Sequence, residues 1–384
     1  MQRRLSFSIL TATLATSLLL SGCNKDNSPP APSPSPPATR SFYMGFTPWP
    51  YEATITAIDD TYIRIQQRGD IVKHHLDSGI PWQAAYDKTT YPSEVENGIA
   101  ARLVRTQSNK IIYLAIDPLN GARDDLAGDW NSSGTNQPRS GAWATRNLDD
   151  PEVIEAYTNF ALNMITRFQP KYFDYGTEVS VLMLTEPAKF TQFVTFAAAV
   201  YSNIKAVHPQ LPLIASISLN APGSTEMQQV TTDFARITNY VDIVGISAYP
   251  YILYDPAYTA NPNSLPSNWL TQIKSIVGNN KRLAISETGW IAQPLTITNY
   301  SYSEYSDANY QAAYIERVLT EAQSLGAEFV IWFALTDYDA LWNTTLGQSD
   351  IGAIWRDTGL YDENILPRTG LNNWSAWLAK TYAR

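Results

Sequence analysis

The chain has 384 residues, 44% hydrophobic and 12% aromatic, with a formal net charge of −9 at pH 7. An acidic surface poor in basic charge argues against nucleic acid or an anionic membrane surface as partner. A single cysteine excludes an intrachain disulfide, and with 3 histidines no spacing resembles a metal-ligand motif.

Arg3 and Arg4 open the chain, Leu5 to Leu20 is apolar or small, and Leu20-Ser21-Gly22-Cys23 closes the segment. A run this short is the core of a signal peptide rather than a membrane span. Its ending resembles the bacterial lipobox, which implies that residues 1–22 are removed and Cys23 is lipidated. An ordinary secretory signal is the alternative. Asn24 stands where an Asp would resemble the inner-membrane retention signal, so the expected location is the outer membrane, with possible surface exposure. Residues 23–40, dominated by Pro, Ser and Ala from Asn27 onward, read as a semi-rigid tether. Residues 41–384 read as one globular domain that meets the membrane only through the lipid, and nothing in it calls for a partner subunit, so a monomer is expected.

Eight β-branched or aromatic runs follow: Phe42–Phe46, Ile71–Leu76, Lys110–Ile116, Tyr172–Gly176, Leu213–Ser218, Val241–Ser247, Arg282–Ser286 and Glu328–Phe333. Helical patterns lie between them. Ser93 with Glu96 forms a capping-box pattern ahead of Ile99 and Leu103. Phe190, Phe193, Val194, Tyr201 and Ile204 repeat at helical spacing, as do Tyr310, Tyr314, Val318 and Leu325 before Gly326, a helix stop. Strands alternating with helices require a parallel sheet, and eight such units predict an α/β fold with a single (β/α)8 TIM barrel. Helix-to-strand links are short, whereas 117–150, 249–267 and 336–367 leave strands as long loops. Those loops carry Trp130, Trp143, Tyr251, Tyr254, Tyr258, Trp342 and Trp355, which as a set read as the walls of a groove and singly as loop anchors.

Two strand ends carry a glutamate, Glu178 after the fourth and Glu287 in the seventh. Glutamate is a poor strand residue, so its place at a barrel mouth needs a reason. Hydrolysis of a glycosidic bond supplies one, because that chemistry needs two carboxyl groups flanking one bond. No glycine-rich phosphate loop or Gly-x-Ser-x-Gly elbow competes with it, and no cofactor is called for.

Glutamates ending strands four and seven of eight βα units resemble the clan A glycoside hydrolases. Ser286-Glu287-Thr288-Gly289-Trp290 is similar to the nucleophile motif of plant-type β-1,3-glucanases and, more loosely, β-1,4-galactanases, and Gly176-Thr177-Glu178 resembles the acid/base strand end of a smaller group of clan A β-mannanases. The resemblance implies that Glu178 is the acid/base and Glu287 the nucleophile, with retention of configuration. It implies that Tyr249 hydrogen-bonds the nucleophile and that Trp332, followed by Asp337, floors the central sugar subsite. Trp49, His75, Asp117, Thr177, Trp290 and Asp337 complete the expected substrate contacts. Thr177 replaces the Asn of many relatives, and His74, His75 and Asp77 stand where many place an Arg. The expected activity is endo-hydrolysis of a β-linked polysaccharide or oligosaccharide (galactan, glucan or mannan). The alternatives are a non-catalytic glycan-binding lipoprotein and a transglycosylase using the same glutamates.

Overall fold

The computed structural model describes residues 39–254, 261–278 and 280–384. Cys23, the leader at 1–22, the tether up to residue 38 and Tyr258 lie outside the described residues. Eight parallel strands close into a barrel in sequence order: β1 (Tyr43–Phe46), β2 (Ile71–Leu76), β3 (Ile111–Ile116), β4 (Tyr172–Gly176), β5 (Leu213–Ser218), β6 (Ile243–Ala248), β7 (Arg282–Thr288) and β8 (Phe329–Trp332). The described residues therefore form a single (β/α)8 barrel. Two residues assigned to the tether pack with the folded domain, in a two-stranded sheet outside the barrel: Thr39–Arg40 pair in parallel with Thr381–Tyr382, and Arg40 is buried in an ion pair with Asp70 at 2.8 Å.

Both faces of every strand are covered, which is why the strands read as near-continuous apolar runs. Alternation nonetheless sorts them. Ile71, Tyr113, Tyr172, Ile214, Ile243, Ala284, Phe329 and Ile331 form one buried cluster inside the barrel. Val72, Leu114, Phe173, Ala215, Val244, Leu283, Val330 and Trp332 belong to the cluster shared with the surrounding helices. The inner parity of β2 continues from Ile71 to Lys73 and His75, so a lysine and a histidine enter the barrel. Asp174 points inward too, where Tyr113 donates a hydrogen bond to it at 2.6 Å and burial lifts its pKa to about 6. His74 takes the outer parity, bonds Thr106 at 2.9 Å, and is held uncharged by burial, its pKa lowered to about 3. It is a core histidine.

The helix Ala308–Leu325 ends where expected, on Gly326 at φ 64°, a conformation that suits glycine. The capping box does not form. The helix begins on Ser93 itself after Pro92, with no side-chain cap, and Glu96 pairs with Arg167 at 2.9 Å instead. Most groove aromatics prove to be anchors: Trp130, Trp143, Tyr251 and Tyr254 are buried under their loops. The Tyr254 hydroxyl, for example, donates to the Trp269 carbonyl at 2.9 Å.

Close packing of β1 on β2 leaves no room at Gly45, where a Cβ would fall 1.8 Å from the Ile71 carbonyl oxygen. Gly45→Ala should cost about 3 kcal/mol or more in urea unfolding, since backbone cannot yield as a side chain can. Gly121→Ala, where nothing lies within 4 Å of the added carbon, should stay within about 0.5 kcal/mol of the parent.

Candidate active site

A cleft of about 350 Å³ opens at the C-terminal end of the barrel, and both Glu178 and Glu287 line it. Backbone irregularities at both strand ends set them there. Between Ala284 and Glu287 the pairing of β7 with β6 shifts register, three residues on one side answering two on the other. Such a bulge re-aims a side chain; it lets Glu287 join Ser286 at the base of the cleft. A second shift interrupts β4 against β5 between Asp174 and Gly176, and Glu178 just beyond it holds φ 50°. That left-handed conformation is uncommon for a residue other than glycine. The Glu178 amide donates to Ser216 Oγ at 2.7 Å.

The two carboxyl groups have unlike surroundings. Lys73 Nζ donates to Glu287 Oε2 at 2.9 Å, and the Tyr249 hydroxyl donates to Oε1 at 2.8 Å. Burial pushes the Glu287 pKa up, but the charges of Lys73 and His75 with these two hydrogen bonds outweigh it, leaving the carboxyl below its ordinary range. Glu178 meets a neutral donor, the Ser247 hydroxyl on Oε1 at 2.5 Å. Beneath both lies a layer of small side chains, Ser216, Ser247 and Ser286, packed around Gly245, where a Cβ would come within 2.8 Å of Ser216 and Ser286.

A second charged group supports the cleft from the side of β3. Asp117 is buried and receives His75 Nε2 at 2.8 Å and Arg123 at 3.0 Å. Burial alone would raise its pKa, yet Arg123, His75 and the Thr177 hydroxyl drive it far below the usual carboxylate range. In return Asp117 overcomes the burial of His75 and raises the imidazole's pKa, favouring the imidazolium. His75 and Arg123 face the cleft, while Asp117 acts through them. Thr177 lines its floor.

The opposite wall is aromatic. Trp49, Phe333, Tyr338 and Trp355 line it, with Trp49 edge-on to Phe333 at 5.5 Å between ring centres. The indole N–H groups of Trp49 and Trp355 have no partner among the described residues. Three expected contacts are corrected here. Trp332 is fully buried on the outer parity of β8, donating to the Thr358 carbonyl at 2.9 Å, and Phe333 takes the place facing the cleft. Trp290 is fully buried against Tyr314, 4.5 Å between ring centres, and donates to Ser306. Asp337 is buried in an ion pair with Arg368 at 2.6 Å and accepts the Gly359 amide, so it braces the long loop after β8. Sequence reasoning also missed Lys73 and Arg123. A lysine inside an apolar strand was the available signal for the first; loop position hid the second.

Among the described residues, one carboxylate group, Asp337, Asp339 and Glu363, brings ligand atoms within 4.8 Å of one another. Arg368 already neutralises Asp337 at 2.6 Å and Arg356 faces Asp339 at 3.3 Å, so this group holds its own cations.

No protein-family model matches the chain, and no curated protein matches its sequence. Solved structures do match its fold. The exo-β-1,4-mannosidase of Opitutaceae bacterium strain TAV5 aligns at a TM-score of 0.59 and 16% identity, over 89% of this chain and 60% of that one. This chain thus spans less than two thirds of that protein. The GH53 catalytic domain of Ignisphaera aggregans aligns at 0.57 and 16% identity, over 92% and 99% of the two chains. Xylanase 10B of Thermotoga petrophila RKU-1, in complex with xylobiose, aligns at 0.55 and 15% identity, over 88% and 94%. At these identities the likeness establishes the barrel.

The Lys73–Glu287 pair has a thermodynamic signature. Because the folded pKa of Glu287 lies below its unfolded value, the pair contributes stability above about pH 4.3, lost as pH falls through the folded pKa. In Lys73→Met, only His75 and Tyr249 remain to oppose burial, so the Glu287 pKa should rise and its contribution above about pH 4.3 should shrink. Urea unfolding across pH 3 to 7 should show a weaker rise of stability with pH than in the parent, with a loss of about 3 kcal/mol at pH 7 from the unpaired buried charge.

Proposed function

We propose that the chain is a retaining glycoside hydrolase that cleaves within a β-linked polysaccharide, with Glu287 as nucleophile and Glu178 as acid/base. The observation that carries this reading is the unlike environment of two carboxyl groups in one cleft: Glu287 faces an ammonium and a phenol, Glu178 a serine hydroxyl. The fold it shares with a mannosidase and a xylanase agrees with it.

Glu287, held ionised, attacks the anomeric carbon as Glu178 delivers a proton to the departing glycosidic oxygen. The bond to the leaving sugar breaks and an ester to Glu287 forms. Glu178, now a carboxylate, takes a proton from water, whose oxygen attacks the anomeric carbon and frees Glu287. Lys73 and Tyr249 are positioning residues, fixing both oxygens of the nucleophile. The aromatic wall of Trp49, Phe333 and Trp355 offers faces for the C–H side of sugar rings. A galactan, glucan or mannan is the substrate class of this reading.

Two variants separate the roles. Against a panel of β-linked polysaccharides, Glu287→Gln should abolish reducing-sugar release. Glu178→Gln should lose roughly 10²- to 10⁴-fold on polysaccharide, the usual worth of a general acid, yet still release a good leaving group from an aryl glycoside. Activity that survives in Glu287→Gln would remove the assignment; binding without hydrolysis, retained in both variants, would favour a glycan-binding protein.

The proposal extends to the cell envelope, with Cys23 lipidated in the outer membrane. Expression of the full chain in a lipoprotein-processing bacterium should label it with palmitate, and Cys23→Ser should remove the label.

A further inference from the structure

The mechanism above uses Lys73, Tyr249 and the two glutamates, and it leaves Arg123 without a part. Arg123 lies in the loop after β3 with its backbone at φ 58°. That loop is tied to itself: the Arg123 amide donates to the Asn120 carbonyl at 2.9 Å, the Asn120 amide to the Asp125 carbonyl at 2.9 Å, and Asn120 Nδ2 to Asp124 at 2.8 Å. Lys189 then pins the Asp124 carbonyl at 2.9 Å. The side chain is 11% exposed and lines the cleft beside both glutamates. One guanidinium nitrogen is engaged, by the Asn120 carbonyl at 3.1 Å and Asp117 at 3.0 Å. Its Nε has no partner among the described residues.

Lys73, His75 and Arg123 crowd the catalytic pair, Lys73 against Glu287 and the other two against Asp117. Asp77, exposed, and Arg102 stand at the outer edge of the cleft. Burial opposes the charge of Arg123, but Asp117, Glu178, Asp77 and Glu287 outweigh it and raise its pKa above the ordinary value. A bare guanidinium beside a general acid also works against the proton that acid has to deliver.

We propose that the sugar bound beside the catalytic pair carries an anionic substituent, a hexuronate carboxylate, held by Arg123, whose side chain lines the cleft and whose buried Nε has no partner among the described residues. The inference rests on the glycosidase reading and narrows its substrate to acidic β-linked glycans. A carboxylate accepts two parallel N–H bonds from a guanidinium, a geometry that a neutral hydroxyl cannot match. Its charge offsets the field of Arg123 on the acid. Arg123 is then a specificity-determining residue, and Asp117 orients it.

The test pairs 4-methylumbelliferyl β-hexuronides with the matching β-hexosides in the gluco, galacto and manno series. The parent should turn over one hexuronide roughly 10²-fold faster in kcat/KM than its hexoside, since pairing a buried charge is worth that much. R123Q should erase the preference, losing roughly 10²-fold on the hexuronide and less than about 10-fold on the hexoside, and R123K should keep part of it. Hexosides cleaved as fast as hexuronides by the parent, or both slowed alike by R123Q, would overturn the proposal and leave the glycosidase standing. If no glycoside is cleaved, titration calorimetry with sodium glucuronate, galacturonate and mannuronate decides. Binding of one of these but not of the neutral sugar, lost in R123Q, supports the anion site, and the glycosidase reading is then decided separately by reducing-sugar release from polysaccharide. No preference for the acid overturns the anion site.

Discussion

An ammonium inside a protein must meet an anion, and the structure depends on how Lys73 meets Glu287. Lys73 is almost wholly buried, its Nζ 5.6 Å from the centre of the Tyr113 ring below and 2.9 Å from the carboxylate above. Two unpaired charges at this depth would each cost several kcal/mol, so each makes the other tolerable. The pair sets how the top of the barrel is filled. Small side chains at Ser216, Gly245, Ser247 and Ser286 leave the glutamates room, Tyr249 closes the second oxygen of Glu287, and a register shift in β7 turns that glutamate inward.

The lower barrel follows the opposite rule. There Tyr113, Tyr172 and Phe329 fill the interior with rings 4.8 Å apart, centre to centre, and Glu328 ties Tyr172, Arg282 and Arg384 across the base. Dense packing below holds the strand ends still, and the polar layer above can keep a cleft without collapsing. The long loops extend the same division of labour. One wall is charged, with Asp117 at its centre; the other is aromatic, braced by Asp337 with Arg368 behind it.

Much of this was legible in the chain. All eight strands announced themselves, because apolar runs between helical patterns have few other uses, and the two glutamates stood out against their strands. What escaped depended on geometry that alternation does not carry. Trp332 looked like the subsite floor, but the parity of β8 turns it to the helices and gives the cleft to Phe333. The register shift that presents Glu287 inserts a residue that no pattern marks. Trp130, Trp143, Tyr251 and Tyr254 read as groove walls as a set and as loop anchors singly, and burial decides for anchors, since large rings fix long loops by burying area. Lys73 was readable from parity alone, for it follows Ile71 by two and precedes His75 by two. Arg123 was not, because its place depends on a loop closed by its own hydrogen bonds.

The claim that Glu287 is the nucleophile is tested most directly by trapping. An activated 2-deoxy-2-fluoro glycoside of the sugar that is cleaved should add once to the protein, slowly enough to survive digestion and peptide mass analysis. A single adduct on Glu287, absent from Glu287→Gln, is the result the account predicts. An adduct on another residue, or turnover with inversion of the anomeric centre and no adduct, would contradict it.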